Sequence, residues 1–139
     1  MTKIDQQLID KELIRSKSAL KAAQKLLEEE LYEDAISRAY YACLHSAKAV
    51  LLEQGVVISS HKAAVVLFGK HLVLLGKIEK EYGRIFHQLR ADRDIGDYDV
   101  LQTIDVSRAQ QRVNDAAKFI KRMQQLLKSQ CIKRSKKND

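Results

Sequence analysis

Apolar residues recur along this chain at steps of three and four with polar residues between them, and that spacing predicts helices almost throughout. Ile9, Leu13, Leu20, Ala23 and Leu27 trace one face of a first helix over about 5–29. A second is expected from Leu31 to Gln54, with Gly55 as its C-terminal cap residue. Ser59 and Ser60 offer N-caps for a third, which runs through Leu75 and stops at Gly76. Ile78, Tyr82, Ile85 and Leu89 stripe a fourth that reaches about Asp94, and the Gly, Asp and Thr of DIGDYDVLQTID predict a loop after it. In the fifth, Val106, Ala109, Val113, Ala116, Ile120, Met123 and Leu127 alternate steps of three and four without a miss, and Thr103 or Asp105 can cap its start. The expected fold class is all-α, an up-and-down bundle of four to five helices.

Composition narrows this picture. The 139 residues include no proline and five glycines, so long helices meet few breakers. The length suits one helical domain, expected over 1–130. No run approaches the roughly 18 apolar residues of a membrane-crossing helix, and MTKIDQQLIDK lacks the apolar core of a signal peptide, so the protein is expected to be cytoplasmic with no membrane partner. Cys43 and Cys131 make neither a CxxC pair nor a disulfide framework, and no metal site is expected. The net charge is +7, and a net three of those charges fall in the last nine residues, CIKRSKKND. Residues 131–139 are therefore expected as a basic flexible tail, able to attract an anionic partner such as RNA or simply to fray. Lys17, Lys21 and Lys25 form an i,i+4 ladder expected as solvated surface. Glu28, Glu29 and Glu30 oppose the helix macrodipole, so the first helix either ends early or bends into the second.

The second helix carries the candidate chemistry. Within SRAYYACLHSAKAVL, Arg38 and His45 stand seven positions apart, which at about 100° per residue brings them within about 20° of each other, two turns apart along the axis. Asp34, Tyr41, Lys48 and Leu52 fall close to the same stripe, whereas Ile36, Ala39, Tyr40, Cys43, Ala47 and Val50 supply a separate buried side. Two readings of the polar stripe follow from spacing. It is a site, or else Asp34 braces Arg38 as an i,i+4 pair and His45 is a histidine with an ordinary hydrogen bond.

The segment AISRAYYACLHSAKAVLLEQG, followed by Ser60-His61 and then by LRADRDIGDYD, resembles the small prokaryotic HEPN domain family over roughly residues 10–128. That resemblance implies a helical bundle, commonly a homodimer. Many members are metal-independent ribonucleases marked by an arginine and a histidine four to six residues apart, and here six residues separate Arg38 from His45. The implied catalytic residues are Arg38 and His45, with Tyr41, Lys48, Arg90 and Arg93 as RNA-binding candidates and no cofactor. An imidazole can move a proton near neutral pH, and an always-charged guanidinium can hold a phosphate through two donors. The implied partners are RNA and a small nucleotidyltransferase serving as antitoxin. The alternative is a non-catalytic HEPN module that dimerises and binds such a nucleotidyltransferase or nucleic acid. Active members often carry a polar residue after the arginine, where this chain has Ala39. In the branch silenced by attachment of AMP, the acceptor tyrosine lies two residues after the histidine, where this chain has Ala47.

Other candidates are less specific. His61 opens a helix and is either a first-turn surface residue or a substrate contact, and His71 and His87 are expected at the surface or in packing. Arg90 and Arg93 can reach phosphate or pair with Asp94 and Asp97. LFGKHLVLLGK has two glycines without phosphate-loop spacing, and no short turn precedes a basic recognition helix.

Overall fold

The computed structural model describes the backbone of residues 2–138 and the side chains of residues 2–130. Five helices follow one another: α1 (Lys3–Glu28), α2 (Tyr32–Glu53), α3 (His61–Phe68), α4 (Lys80–Tyr98) and α5 (Val106–Asn138), with a π-helical turn at Gly69–Val73 continuing α3. The expected basic tail, 131–139, lies outside the residues whose side chains are described. No helix among the described residues is long and apolar enough to cross a membrane.

Local chemistry explains the boundaries. Thr2 and Asp5 form a reciprocal capping box at the start of α1, Ser60 Oγ accepts from the Ala63 amide at the start of α3, and Asp105 accepts from the Arg108 amide at 2.8 Å at the start of α5. Helix α1 ends early, as one of the two readings of the glutamate cluster expected. There the Leu31 amide donates to Leu26 O and the Glu30 amide to Leu27 O, which puts Glu30 at φ +63°. The same closure ends α2 at Gly55 and the π-helical turn at Gly76, where glycine takes the left-handed conformation without a Cβ penalty.

Helix α2 is the centre of the bundle and packs on α1, α3, α4 and α5. Ile36, Ala39, Tyr40, Cys43, Ala47 and Val50, its expected buried side, are all fully buried. Ala35, Ala42, Leu44, Ser46, Ala49 and Leu51 are buried too, so α2 is enclosed nearly all round, with each large apolar side chain contributing roughly 1.5–3 kcal/mol. Among the α5 seam residues, Ala109, Val113, Ala116, Ile120 and Met123 are buried, Leu127 is half-buried and Val106 is exposed. Phe119 and Leu126 join them, because a helix inside a bundle buries a wider stripe than a strict two-helix seam. The Phe119 ring lies against Phe68 and Phe86.

Two expected boundaries are corrected. The third helix does not run unbroken to Leu75: from Gly69 the backbone widens, with the Leu74 amide donating to Gly69 O across five residues. Leu72 stays in the core, and Val73 comes against Gly83, whose missing Cβ would stand 3.0 Å from Val73 Cγ2. The fourth helix passes Asp94 and ends at Tyr98. Its last turn is held by the Arg93–Asp97 ion pair, and Gly96 lets it lie against Glu33 of α2.

Candidate functional site

The polar stripe of α2 is the face left uncovered on an otherwise enclosed helix. Asp34 and Arg38 are exposed, while Tyr41, His45 and Lys48 are half-buried. Across from it α1 presents Glu12, Arg15, Ala19 and Ala22 at steps of three and four, which share one face. The two helices are seated by Ser16, fully buried, whose hydroxyl donates to Ala42 O at 2.7 Å. The small Ala19 and Ala22 side chains leave an open groove of about 360 Å³ along the seam. Arg38, Tyr41 and His45 line it from α2, and Arg15 and Ser18 from α1.

His45 is neither sealed in the core nor loose. Its side chain keeps 18% exposure and its Nδ1 lies 2.6 Å from Glu12 Oε2. A carboxylate only accepts, so Nδ1 carries the proton in this pairing, and in the neutral ring Nε2 is left with its lone pair for a second partner. The bracing of Arg38 by Asp34, one of the two readings of the stripe, does not form. Among the described residues neither Arg38 nor Arg15 has an ion-pair partner. Asp34 instead lines the continuation of the groove beside Arg38 and Tyr41, with Ser37 and Leu26, in a further hollow of about 500 Å³. On the other side of His45, Glu12 and Lys48 border a smaller hollow of about 180 Å³ walled by Leu8, Leu52 and Val56.

Tyr41 ties this groove to α4. Its hydroxyl accepts from Arg93 Nη2 at 3.1 Å, with the guanidinium carbon 5.5 Å from the ring centroid. Arg93 is drawn inward: it faces the rings of Tyr40 and Tyr98 too and forms ion pairs with Asp94 and Asp97. Its Nε is 2.9 Å from Asp97 Oδ2 but off the N–H axis, so that contact is an ion pair rather than an aligned hydrogen bond. Arg90 is half-buried nearby and, with Arg93, sets a positive field on Tyr40. Burial outweighs that field and pushes the Tyr40 hydroxyl up to about 12.

His61 also joins the site. It opens α3 with its ring edge-on to Tyr41 and Tyr40, at centroid distances of 5.6 and 6.0 Å. Burial first, then Arg93, Lys48, Arg90 and His45, hold its imidazole below the usual range. His71 lies half-buried in the π-helical turn and His87 is exposed on α4. Among the described residues no group of three or more His, Cys, Asp or Glu side chains is placed to hold a metal ion.

Glu12 and Arg15 are the members that α2 alone does not announce. Their signal was the spacing Glu12, Arg15, Ala19, Ala22, a charged pair followed by two small residues on one face of α1.

The chain belongs to the HEPN domain family, whose model matches residues 11–129. It is 38% identical over 109 residues to the protein named "Putative toxin MJ0605" of Methanocaldococcus jannaschii, covering 78% of this chain and 81% of that one. A UPF0332 protein of Thermotoga maritima is 28% identical over 113 residues, covering 81% and 86%. A UPF0332 protein of Gloeobacter violaceus is 36% identical over 98 residues, covering 70% and 75%.

Proposed function

We infer that this HEPN chain is a metal-independent endoribonuclease that cleaves RNA by internal transesterification and serves as the toxin of a toxin and antitoxin pair. The observation that carries this reading is the state of two side chains. Arg38 stands in an open groove without an ion-pair partner among the described residues, and His45 lines the same groove with its Nδ1 held by Glu12. An unpaired guanidinium beside an oriented imidazole suits a phosphodiester better than it suits packing.

In the reaction the ribose 2'-hydroxyl attacks the adjacent phosphorus. The O2'–P bond forms and the P–O5' bond breaks, giving a 2',3'-cyclic phosphate and a 5'-hydroxyl end. One imidazole takes the 2'-hydroxyl proton at Nε2 while another group returns a proton to the departing O5', and Arg38 holds the charge that builds on the phosphoryl oxygens. The second proton carrier is His45 of a second copy, its site facing the first across a dimer cleft. The name of the Methanocaldococcus relative supports the toxin role, and a small nucleotidyltransferase is the expected antidote.

Ala39, the departure from the polar neighbour that active members often carry, is the feature that fits the non-catalytic module. It is fully buried on the far side of α2, so its lack of polarity takes nothing from the groove on this subunit. The test is incubation of the purified protein and its His45→Ala variant with RNA in the presence of a chelator, reading both cleavage and product ends. Cleavage to cyclic phosphate ends by the wild type, reduced by about 10²- to 10⁴-fold in the variant, is expected. Full activity in the variant removes the assignment. Growth arrest on expression of the chain alone, relieved by the His45 variant, separates the toxin from the non-catalytic module.

A further inference from the structure

The groove holds a second guanidinium that the arginine and histidine pair does not account for. Arg15 projects from α1 into the space that Arg38 enters from α2, and both are exposed. None of the side chains lining that space is a carboxylate: the remainder are Ser18, Ala19, Ala22, Tyr41 and His45. The carboxylate best placed along α1 to neutralise Arg15 is Glu12, one turn before it, and Glu12 is bound to His45 at 2.6 Å. Two like charges facing each other over an open groove repel, and an anion between them removes that repulsion.

We propose that Arg15 is a phosphate-binding residue, and that α1 and α2 together clamp one phosphate of a single polynucleotide strand between Arg15 and Arg38. The inference rests on the ribonuclease reading for its choice of polyanion. It adds that half of the substrate contact comes from a helix outside the arginine and histidine segment. The alanine floor at Ala19 and Ala22 gives the backbone room to settle, and Ser18 adds a hydroxyl donor. On one side a further hollow shares Arg38 and Tyr41 with the groove and is lined also by Ser37 and Asp34, so a strand leaving the clamp that way passes one carboxylate. Arg15 carries no ion pair among the described residues, so its removal leaves the fold intact.

The test is binding rather than turnover. A fluorescent 2'-O-methyl RNA single strand, whose blocked 2'-oxygen prevents cleavage, is titrated against the full chain across a series of salt concentrations. Arg15→Ala is compared with Lys21→Ala, which removes the same charge from an exposed position about 120° round α1 from Arg15 and outside the groove. Loss of a phosphate contact on a single strand makes the slope of log K against log salt shallower by about 0.7. That change and weaker binding are expected for Arg15→Ala, with partial recovery in Arg15→Lys and little change in Lys21→Ala. Equal slopes for Arg15→Ala and Lys21→Ala, or no binding of the strand by the wild type, overturn the proposal. Arg15-dependent binding together with absent cleavage of ordinary RNA sinks the ribonuclease reading and leaves this one standing.

Discussion

Two arginine clusters in this bundle use the same side chain to opposite ends. At the α4–α5 contact, Asp92 is buried to 2% exposure, receives Nε and Nη2 of Arg108, and lies 2.6 Å from Arg112 Nε. Arg112 reaches on to Asp115, so that cluster is closed on itself. In the α1–α2 groove Arg15 and Arg38 face solvent, and the nearby Glu12 is engaged by a histidine. The first cluster has its counter-charge inside the fold, where it must, because a buried carboxylate left alone is costly. The second has two guanidiniums that form no ion pair among the described residues, with Asp34 bordering the hollow beside Arg38 but not bound to it. Under the proposed function that unpaired state is a place for an incoming anion. Pairing state separates the two roles; residue type does not.

The comparison breaks if the two clusters respond alike to substitution. The largest effect is expected at Arg38. Arg38→Ala removes charge stabilisation from the proposed reaction and lowers its rate by about 10²- to 10³-fold, while the unfolding free energy stays within about 0.5 kcal/mol of wild type in urea titration. Asp92→Asn inverts this: it removes the carboxylate that Arg108 and Arg112 share and costs about 3 kcal/mol, at the lower end for a broken buried pair because Arg108 is 40% exposed and Arg112 keeps Asp115. Loss of RNA cleavage in proportion to stability in both variants would erase the distinction. The smallest effect concerns His61. Its folded imidazole is held below the usual value near 6.5, chiefly by burial, so the unfolded chain binds more protons as pH falls through that value. Stability is therefore unaffected above it and declines below it, and His61→Gln flattens that decline in denaturant titrations between pH 7 and 5.

Much of this was legible in the residue order. The six α2 positions assigned to the core are all buried, because one helix with a regular apolar period defines its own inside without reference to neighbours. The stripe of Arg38, Tyr41, His45 and Lys48 follows by subtraction. What could not be read was the rotation of α1 about its axis, which decides that Glu12 and Arg15 face that stripe. The pairing of Arg93 with Asp94 and Asp97 was one of the two readings the residue order offered, whereas its bond to Tyr41 of another helix depends on how α2 and α4 pack and could not be read. The π-helical turn at Gly69 escaped for a different reason. It inserts one residue into an apparently regular period, and it lies where Val73 meets Gly83 of another helix, a contact that the local pattern does not contain.

Cys43 turns the enclosed centre of α2 into a probe of its own opening. Its thiol is fully buried and pushed upward by that burial, so a thiol-directed dye meets it only when helices part. With Cys131 replaced by serine, the labelling rate would clock how often the bundle breathes, and a strand laid along the α1–α2 seam would slow that clock without any enzyme assay.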